Sequence, residues 1–149
     1  ERIPLVFPLH PRTKNRAEQF GLTGRLESIP NIVLTGPAGY LDFVALMAES
    51  KLVLTDSGGL QEETTALGIP CLTLRENTER PITVTEGTNT IVGNDTQVIL
   101  DAANDVLDNG GKAGRIPDLW DGKTAERIVD IIQTTIQTIK IKIIGWNRK

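Results

Sequence analysis

Short apolar runs alternate with helix-like segments along this 149-residue chain. That alternation predicts an α/β fold with a Rossmann-like, doubly wound parallel sheet covered by helices on both faces. Punctuation supports it: Gly68 and Pro70 stop one helical stretch, Asp95 opens another, and Asp108-Asn109-Gly110-Gly111 closes it with residues that tolerate a left-handed turn. The length suits one domain around one core, placed at residues 1–140.

Taken in order, residues 3–9 are predicted as a strand and 11–20 as a polar helix. A strand follows at 31–34, then a helix at 40–50, where Leu41, Val44, Ala45, Met47 and Ala48 fall at helical spacings. The third strand is 51–54, the next helix 58–67 and the fourth strand 70–74. Residues 78–87 read as a short helix, 90–92 as the fifth strand, and 95–108 as a helix capped by Asp95. The last helix, 123–143, carries Ile128, Ile132, Ile136, Ile139 and Ile143 on one stripe, with Val129 and Ile131 opposite. Two readings fit so wide an apolar band: a well-buried terminal helix, or a surface for a second domain or subunit.

Sixteen basic and nineteen acidic residues, without a basic block, give no nucleic-acid footprint. One cysteine, Cys71, cannot form an internal disulfide, so a reducing, cytoplasmic setting is the expectation. No apolar run reaches membrane-spanning length, and no membrane partner is expected. The chain starts at Glu1 and passes within a few residues into a strand, as a piece of something longer would; residues 141–149 are expected to be a tail outside the domain.

In a doubly wound sheet, ligands bind beyond the carboxyl ends of the strands. The corners there are Leu9-His10-Pro11-Arg12, Thr35-Gly36-Pro37-Ala38-Gly39-Tyr40, Asp56-Ser57-Gly58-Gly59 and Arg75-Glu76-Asn77-Thr78-Glu79-Arg80-Pro81. Ser57-Gly58-Gly59 before a helix suits an anion: free backbone N–H groups point outward, and glycine lets a phosphate approach. A plain serine-capped helix with a tight turn explains the same residues. Gln61, Glu62 and Glu63 are read as the first turn of that helix, where acids suit the dipole and could also accept from ribose hydroxyls. His10 reads as a cap or as a catalytic group, Arg75 and Arg80 as diphosphate ligands or surface ion-pair partners, and Tyr40 and Phe43 as walls of a base pocket or core. One His and one Cys make a protein-only zinc site unexpected, and neither a P-loop, a dinucleotide fingerprint nor a nucleophile elbow is present. No metal and no cofactor are expected.

The segments Phe7-Pro8-Leu9-His10-Pro11-Arg12-Thr13, Gly39-Tyr40-Leu41-Asp42-Phe43, Leu54-Thr55-Asp56-Ser57-Gly58-Gly59-Leu60-Gln61-Glu62-Glu63 and Thr78-Glu79-Arg80-Pro81 together resemble the C-terminal domain of a non-hydrolysing UDP-N-acetylglucosamine 2-epimerase, across residues 4–139. Departures fall at Ile82-Thr83, where many members have an acid after the proline, and at Thr64-Thr65, where Ala-Pro is common.

The resemblance implies a two-domain GT-B-like fold of which this is the UDP-gripping half. Ala38 would meet uracil through its backbone, with Phe43 beside the ring. Ser57, Gly58 and Gly59 would hold the diphosphate, Glu63 the ribose hydroxyls, and Arg80 would line the phosphate side. Tyr40, Gln61, Glu62 and Arg75 are further candidates, and His10 would lie near the cleft. The implied reaction interconverts UDP-GlcNAc and UDP-ManNAc at C2 by eliminating and re-adding UDP. The groups that move the C2 proton would sit in the family's N-terminal domain, so these 149 residues alone are not expected to epimerise. A homodimer is implied for the full-length enzyme. The competing readings are the UDP-binding half of a GT-B glycosyltransferase or of a hydrolysing epimerase, and a stand-alone module that binds UDP-sugars.

Overall fold

The computed structural model describes the backbone of residues 3–146 and the side chains of residues 3–139. The chain divides into two compact units between Glu49 and Ser50. Every strand pairing in either unit is parallel, as an α/β fold requires.

The first unit runs β1 (Leu5–Pro8), α1 (Pro11–Gln19), α2 (Thr23–Glu27), β2 (Ile32–Thr35) and α3 (Tyr40–Ala48). β1 and β2 pair from Leu5↔Ile32 to Pro8↔Thr35, with the two helices as the crossover. Pro11 starts α1, where a missing N–H costs nothing, and the Nδ1 of His10 accepts from the Arg12 N–H at 3.2 Å. Helix α2 is absent from the expected elements: at five residues it is too short to show a periodic pattern.

The second unit holds β3 (Val53–Thr55), α4 (Gly58–Leu67), β4 (Cys71–Thr73), α5 (Pro81–Thr85), β5 (Asn89–Ile91), α6 (Thr96–Asn109) and α7 (Thr124–Trp146). Its three strands lie in chain order, β3-β4-β5, joined by right-length helical crossovers. Helix α4 packs on all three strands and on α5, while α6 packs on β4. Gly68 ends α4 at φ 72°, in the left-handed region, and its N–H returns to the last turn.

The interior of this unit is largely polar. Cys71, Leu72 and Val92 are buried, but so are Gln61, Thr64, Thr65, Thr73, Thr83 and Asn89, all at most 1% exposed. Backbone approach there is close: a Cβ on Gly87 would sit 2.4 Å from Thr65 Oγ1 and 2.7 Å from the Thr83 carbonyl oxygen, so only glycine fits.

The terminal helix corrects one expectation. Ile128, Val129, Ile131, Ile132, Ile136 and Ile139 are exposed, so α7 is not a buried helix of this chain. It continues to Trp146, into the tail expected at 141–149. The side chain of Ile143 lies outside the described residues, as do residues 147–149. Among the described residues no helix is long and apolar enough to cross a membrane.

Candidate functional site: the start of helix α4

Parallel pairing brings the carboxyl ends of β3, β4 and β5 to one edge of the second sheet. The segments that leave this edge contain Ser57-Gly58-Gly59 and the 74–80 loop. Residue Ser57 occupies the N-cap position of α4 in an extended conformation (φ −84°, ψ 127°), yet its side chain makes no capping hydrogen bond. Its own N–H donates to Thr55 Oγ1 at 3.0 Å, which turns the chain out of β3. The first N–H groups of α4 therefore have no side-chain cap, and a helix start in this condition attracts anions.

The two glycines carry no structural duty that would explain them. Neither has a positive φ. A Cβ on Gly58 would come no closer than 3.9 Å to Arg80 Cγ, and one on Gly59 no closer than 3.9 Å to Ser57 Oγ, both ordinary contacts. Glycine in a helix costs up to about 1 kcal/mol relative to alanine. The fold thus tolerates a local loss of stability here without needing the freedom that glycine supplies. A plain serine-capped helix, the simpler reading of this stretch, does not describe the geometry.

Gln61, Glu62 and Glu63 do not occupy the first turn, contrary to the sequence expectation. The helix begins at Gly58, as expected, so Glu62 and Glu63 are its fifth and sixth residues and its first turn contains no acid. The three residues face different ways. Gln61 is fully buried. Glu62 pairs with Arg80, Oε1 to Nε at 2.9 Å, with both side chains 41% exposed. Glu63 is half-buried on the adjacent part of the helix.

Arg80 is the N-cap residue of α5, and its stem lies beside the start of α4, where a Cβ on Gly58 would come 3.9 Å from Arg80 Cγ. Its Nη1 also donates to the Glu79 carbonyl at 3.3 Å. Arg75 is half-buried, and its carbonyl accepts from the Gly93 N–H at 3.2 Å, joining the loops after β4 and β5. Burial pushes the Cys71 thiol up, against the lowering effect of hydrogen bonds with Thr64 and Thr73, so it is a packed interior group.

The remaining sequence candidates belong to the first unit. Ala38 is exposed in the loop after β2, Tyr40 is the exposed first residue of α3, and Phe43 is half-buried one turn later. His10 has an exposed ring whose Nδ1 serves as the α1 cap. Sequence reasoning missed the hydroxyls and amides below the site, Thr73, Thr78, Thr83 and Asn89. Asn89 lies one residue before the strand expected at 90–92, and only the observed β5, Asn89–Ile91, brings it into the sheet.

A sequence profile for UDP-N-acetylglucosamine 2-epimerase matches residues 1–133. The chain is 44% identical over 128 residues to the UDP-N-acetylglucosamine 2-epimerase of Methanocaldococcus jannaschii, which covers 86% of this chain and 34% of that protein. It is 43% identical over 104 residues to the UDP-2,3-diacetamido-2,3-dideoxy-D-glucuronate 2-epimerase of Pseudomonas aeruginosa, covering 70% of this chain and 28% of the relative. The crystal structure of the M. jannaschii UDP-GlcNAc 2-epimerase in complex with UDP-GlcNAc and UDP superposes with a TM-score of 0.76 at 41% identity, covering 88% of this chain and 36% of that one. The chain spans about a third of the length of the relatives it matches. On a match that extends over nearly all of its residues, the chain belongs to the UDP-N-acetylglucosamine 2-epimerase family.

Proposed function

We propose that this chain is the UDP-binding part of a non-hydrolysing epimerase that interconverts UDP-GlcNAc and UDP-ManNAc at the sugar C2. The observation that carries the reading is the start of α4: no side-chain cap, and two glycines that neither backbone angle nor crowding requires. In the proposed site the N–H groups of this start and the Ser57 hydroxyl receive the diphosphate, Arg80 adds positive charge beside it, and Glu63 accepts from the ribose hydroxyls. Relatives named for different sugars match this chain at similar identity, while UDP and a 2-epimerase activity are common to both names. That pattern supports a nucleotide-holding role for the shared segment.

Elimination of UDP from the sugar places negative charge on the departing diphosphate. Oriented N–H dipoles and a guanidinium stabilise that charge without reorganising, which is where most catalytic benefit of such a site arises. The same grip keeps UDP bound while the unsaturated sugar turns its other face, so that re-addition competes with loss of UDP to solvent. The groups that move the C2 proton are assigned to a further N-terminal domain of the full-length protein. The exposed isoleucine stripe of α7 is assigned to contacts with that domain or within a homodimer.

Calorimetric titration of the chain with UDP tests this. Binding is expected, with a loss of about tenfold for Glu63→Ala, the size of one hydrogen-bonded charged group. No heat with millimolar UDP would overturn the reading, and binding untouched by Glu63→Ala would overturn the ribose assignment.

A further inference from the structure

Beneath the start of α4, a closed circuit of hydrogen bonds begins and ends on the backbone of Arg80. The Arg80 N–H donates to Thr78 Oγ1 at 2.9 Å. The Thr78 hydroxyl donates in turn to Gln61 Oε1 at 2.5 Å. Asn89 Nδ2 donates both to the same Gln61 oxygen, at 3.2 Å, and to Thr83 Oγ1, at 3.0 Å. The Thr83 hydroxyl closes the circuit by donating to the Arg80 carbonyl at 2.7 Å. From below, Thr73 Oγ1 donates to Asn89 Oδ1 at 2.7 Å and fixes which way the amide points.

The members come from α4, the loop after β4, α5, β5 and β4, so the bonds tie four elements and a loop of the unit to one residue. Gln61, Thr73, Thr83 and Asn89 are all completely buried. An apolar core of equal shape would be no less stable, because a buried hydrogen bond contributes little net and its polar groups are costly to desolvate. What the connected polar groups supply, with the Gln61 Nε2 left unpaired and the Gln61 Oε1 accepting twice, is a single defined arrangement. Here that definition is delivered to a residue whose own backbone, at φ −124° and ψ 59°, is neither helical nor extended, and whose side chain reaches the surface beside Gly58 and Glu62.

We propose that Gln61, Thr78, Thr83 and Asn89 are positioning residues that hold the Arg80 guanidinium beside the start of α4, where it meets the diphosphate. The proposal rests on the nucleotide-binding reading above. In it the circuit is set before the ligand arrives, so Arg80 loses little freedom on binding. Glu62 stands against the Nε of the same side chain, at 2.9 Å.

Thr78 is the member to change, because it is only half-buried and its hydroxyl is the sole link between the Arg80 N–H and Gln61 in the circuit. UDP affinity is measured by calorimetry for Thr78→Val, Thr78→Ser, Arg80→Ala and the Thr78→Val/Arg80→Ala pair, with a melting curve for each. Thr78→Val is expected to weaken UDP roughly fivefold, Thr78→Ser to restore it, and Thr78→Val to add no loss once Arg80 is alanine. Should Thr78→Val fail to fold, Thr83→Val and Thr83→Ser replace it in the same cycle. Unchanged affinity in Thr78→Val, an equal loss in the presence and absence of Arg80, or unchanged affinity in Arg80→Ala would each overturn the proposal. An unsubstituted chain that ignores UDP would overturn the nucleotide reading itself, an outcome distinct from a chain that binds UDP and is indifferent to Thr78.

Discussion

Helices α4 and α6 leave the same edge of the same sheet, after β3 and β5, and begin in opposite ways. At α6, Asp95 Oδ1 accepts from the N–H groups of Gln97 at 2.9 Å and Val98 at 3.0 Å, so the chain satisfies its own helix start. At α4, Ser57 stands in the equivalent position without a capping bond, ahead of two glycines. One start is finished within the fold. The other is left with donors to offer, and beside it stands a guanidinium whose backbone is fixed from both sides. The contrast separates a residue pattern that builds a helix from one that builds a binding surface, although both read as small polar residues before a helix.

The largest effect that sharpens this contrast is expected from Arg80→Ala. Loss of a charged hydrogen-bond partner should weaken UDP by about tenfold or more, while the melting temperature hardly moves, since a half-exposed ion pair with Glu62 is worth about 0–1 kcal/mol. Calorimetry and a thermal melt read the two quantities. Next comes Asp95→Ala, expected to cost about 1 kcal/mol of stability in a denaturant titration and to leave UDP affinity unchanged. Ser57→Ala is its mirror image: stability within about 0.5 kcal/mol of the parent because no cap is lost, but UDP weakened several-fold. If Ser57→Ala destabilises as Asp95→Ala does, the two starts are alike and the contrast collapses.

The smallest effect concerns the turn that leads into α7. The Lys123 N–H and the Arg127 guanidinium hold the Asp121 carboxyl below the usual carboxylate range. A carboxyl depressed in the native state contributes stability above its unfolded value of about 3.9 and loses it as pH falls through the lower native value. Protection of the amides at the first turn of α7, taken relative to the intrinsic exchange rate at each pH, should therefore fall below about pH 4, and Asp121→Asn should remove that fall. An unaltered pH response in Asp121→Asn would contradict the assignment.

Much of this architecture was legible before the structure. Helix α4 spans the predicted residues because Ser57-Gly58-Gly59 and Gly68-Ile69-Pro70 punctuate both of its ends. Asp95 was identifiable as a cap, and the short helix within residues 78–87 lies at Pro81–Thr85. The inward face of α4 was not legible. Its buried positions, Gln61, Thr64 and Thr65, have the i, i+3, i+4 spacing of a core stripe, but they are polar, and periodicity is read from apolar residues. Thr64, Thr65 and Thr83 all fall in that buried layer. The hydrogen bonds that Gln61 Oε1 and Thr83 Oγ1 make at such positions become visible only when β5 and α5 arrive to meet them. The isoleucines of α7 pose the opposite problem, because local spacing marks an apolar stripe without marking what covers it.

For the candidate site, the residues were legible and their division of labour was not. Gln61, Glu62 and Glu63 look alike as an acidic, polar triplet at a helix start. Rotation of about 100° per residue sends Gln61 into the core, Glu62 to Arg80 and Glu63 to the adjoining half-buried surface. Nothing in their chemistry alone distinguishes them.

If α4 gives up local stability to receive a diphosphate, Gly59→Ala is the substitution that shows it. The melting temperatures of the unsubstituted chain and of Gly59→Ala are measured with and without UDP. Without UDP the alanine chain should melt at or above the parent, because the added Cβ has room and the helix gains up to about 1 kcal/mol. With UDP the parent should gain stability and the alanine chain should gain much less, because the methyl holds the phosphate off the backbone. An alanine chain that melts lower without UDP, or the same UDP response in both chains, would contradict the claim.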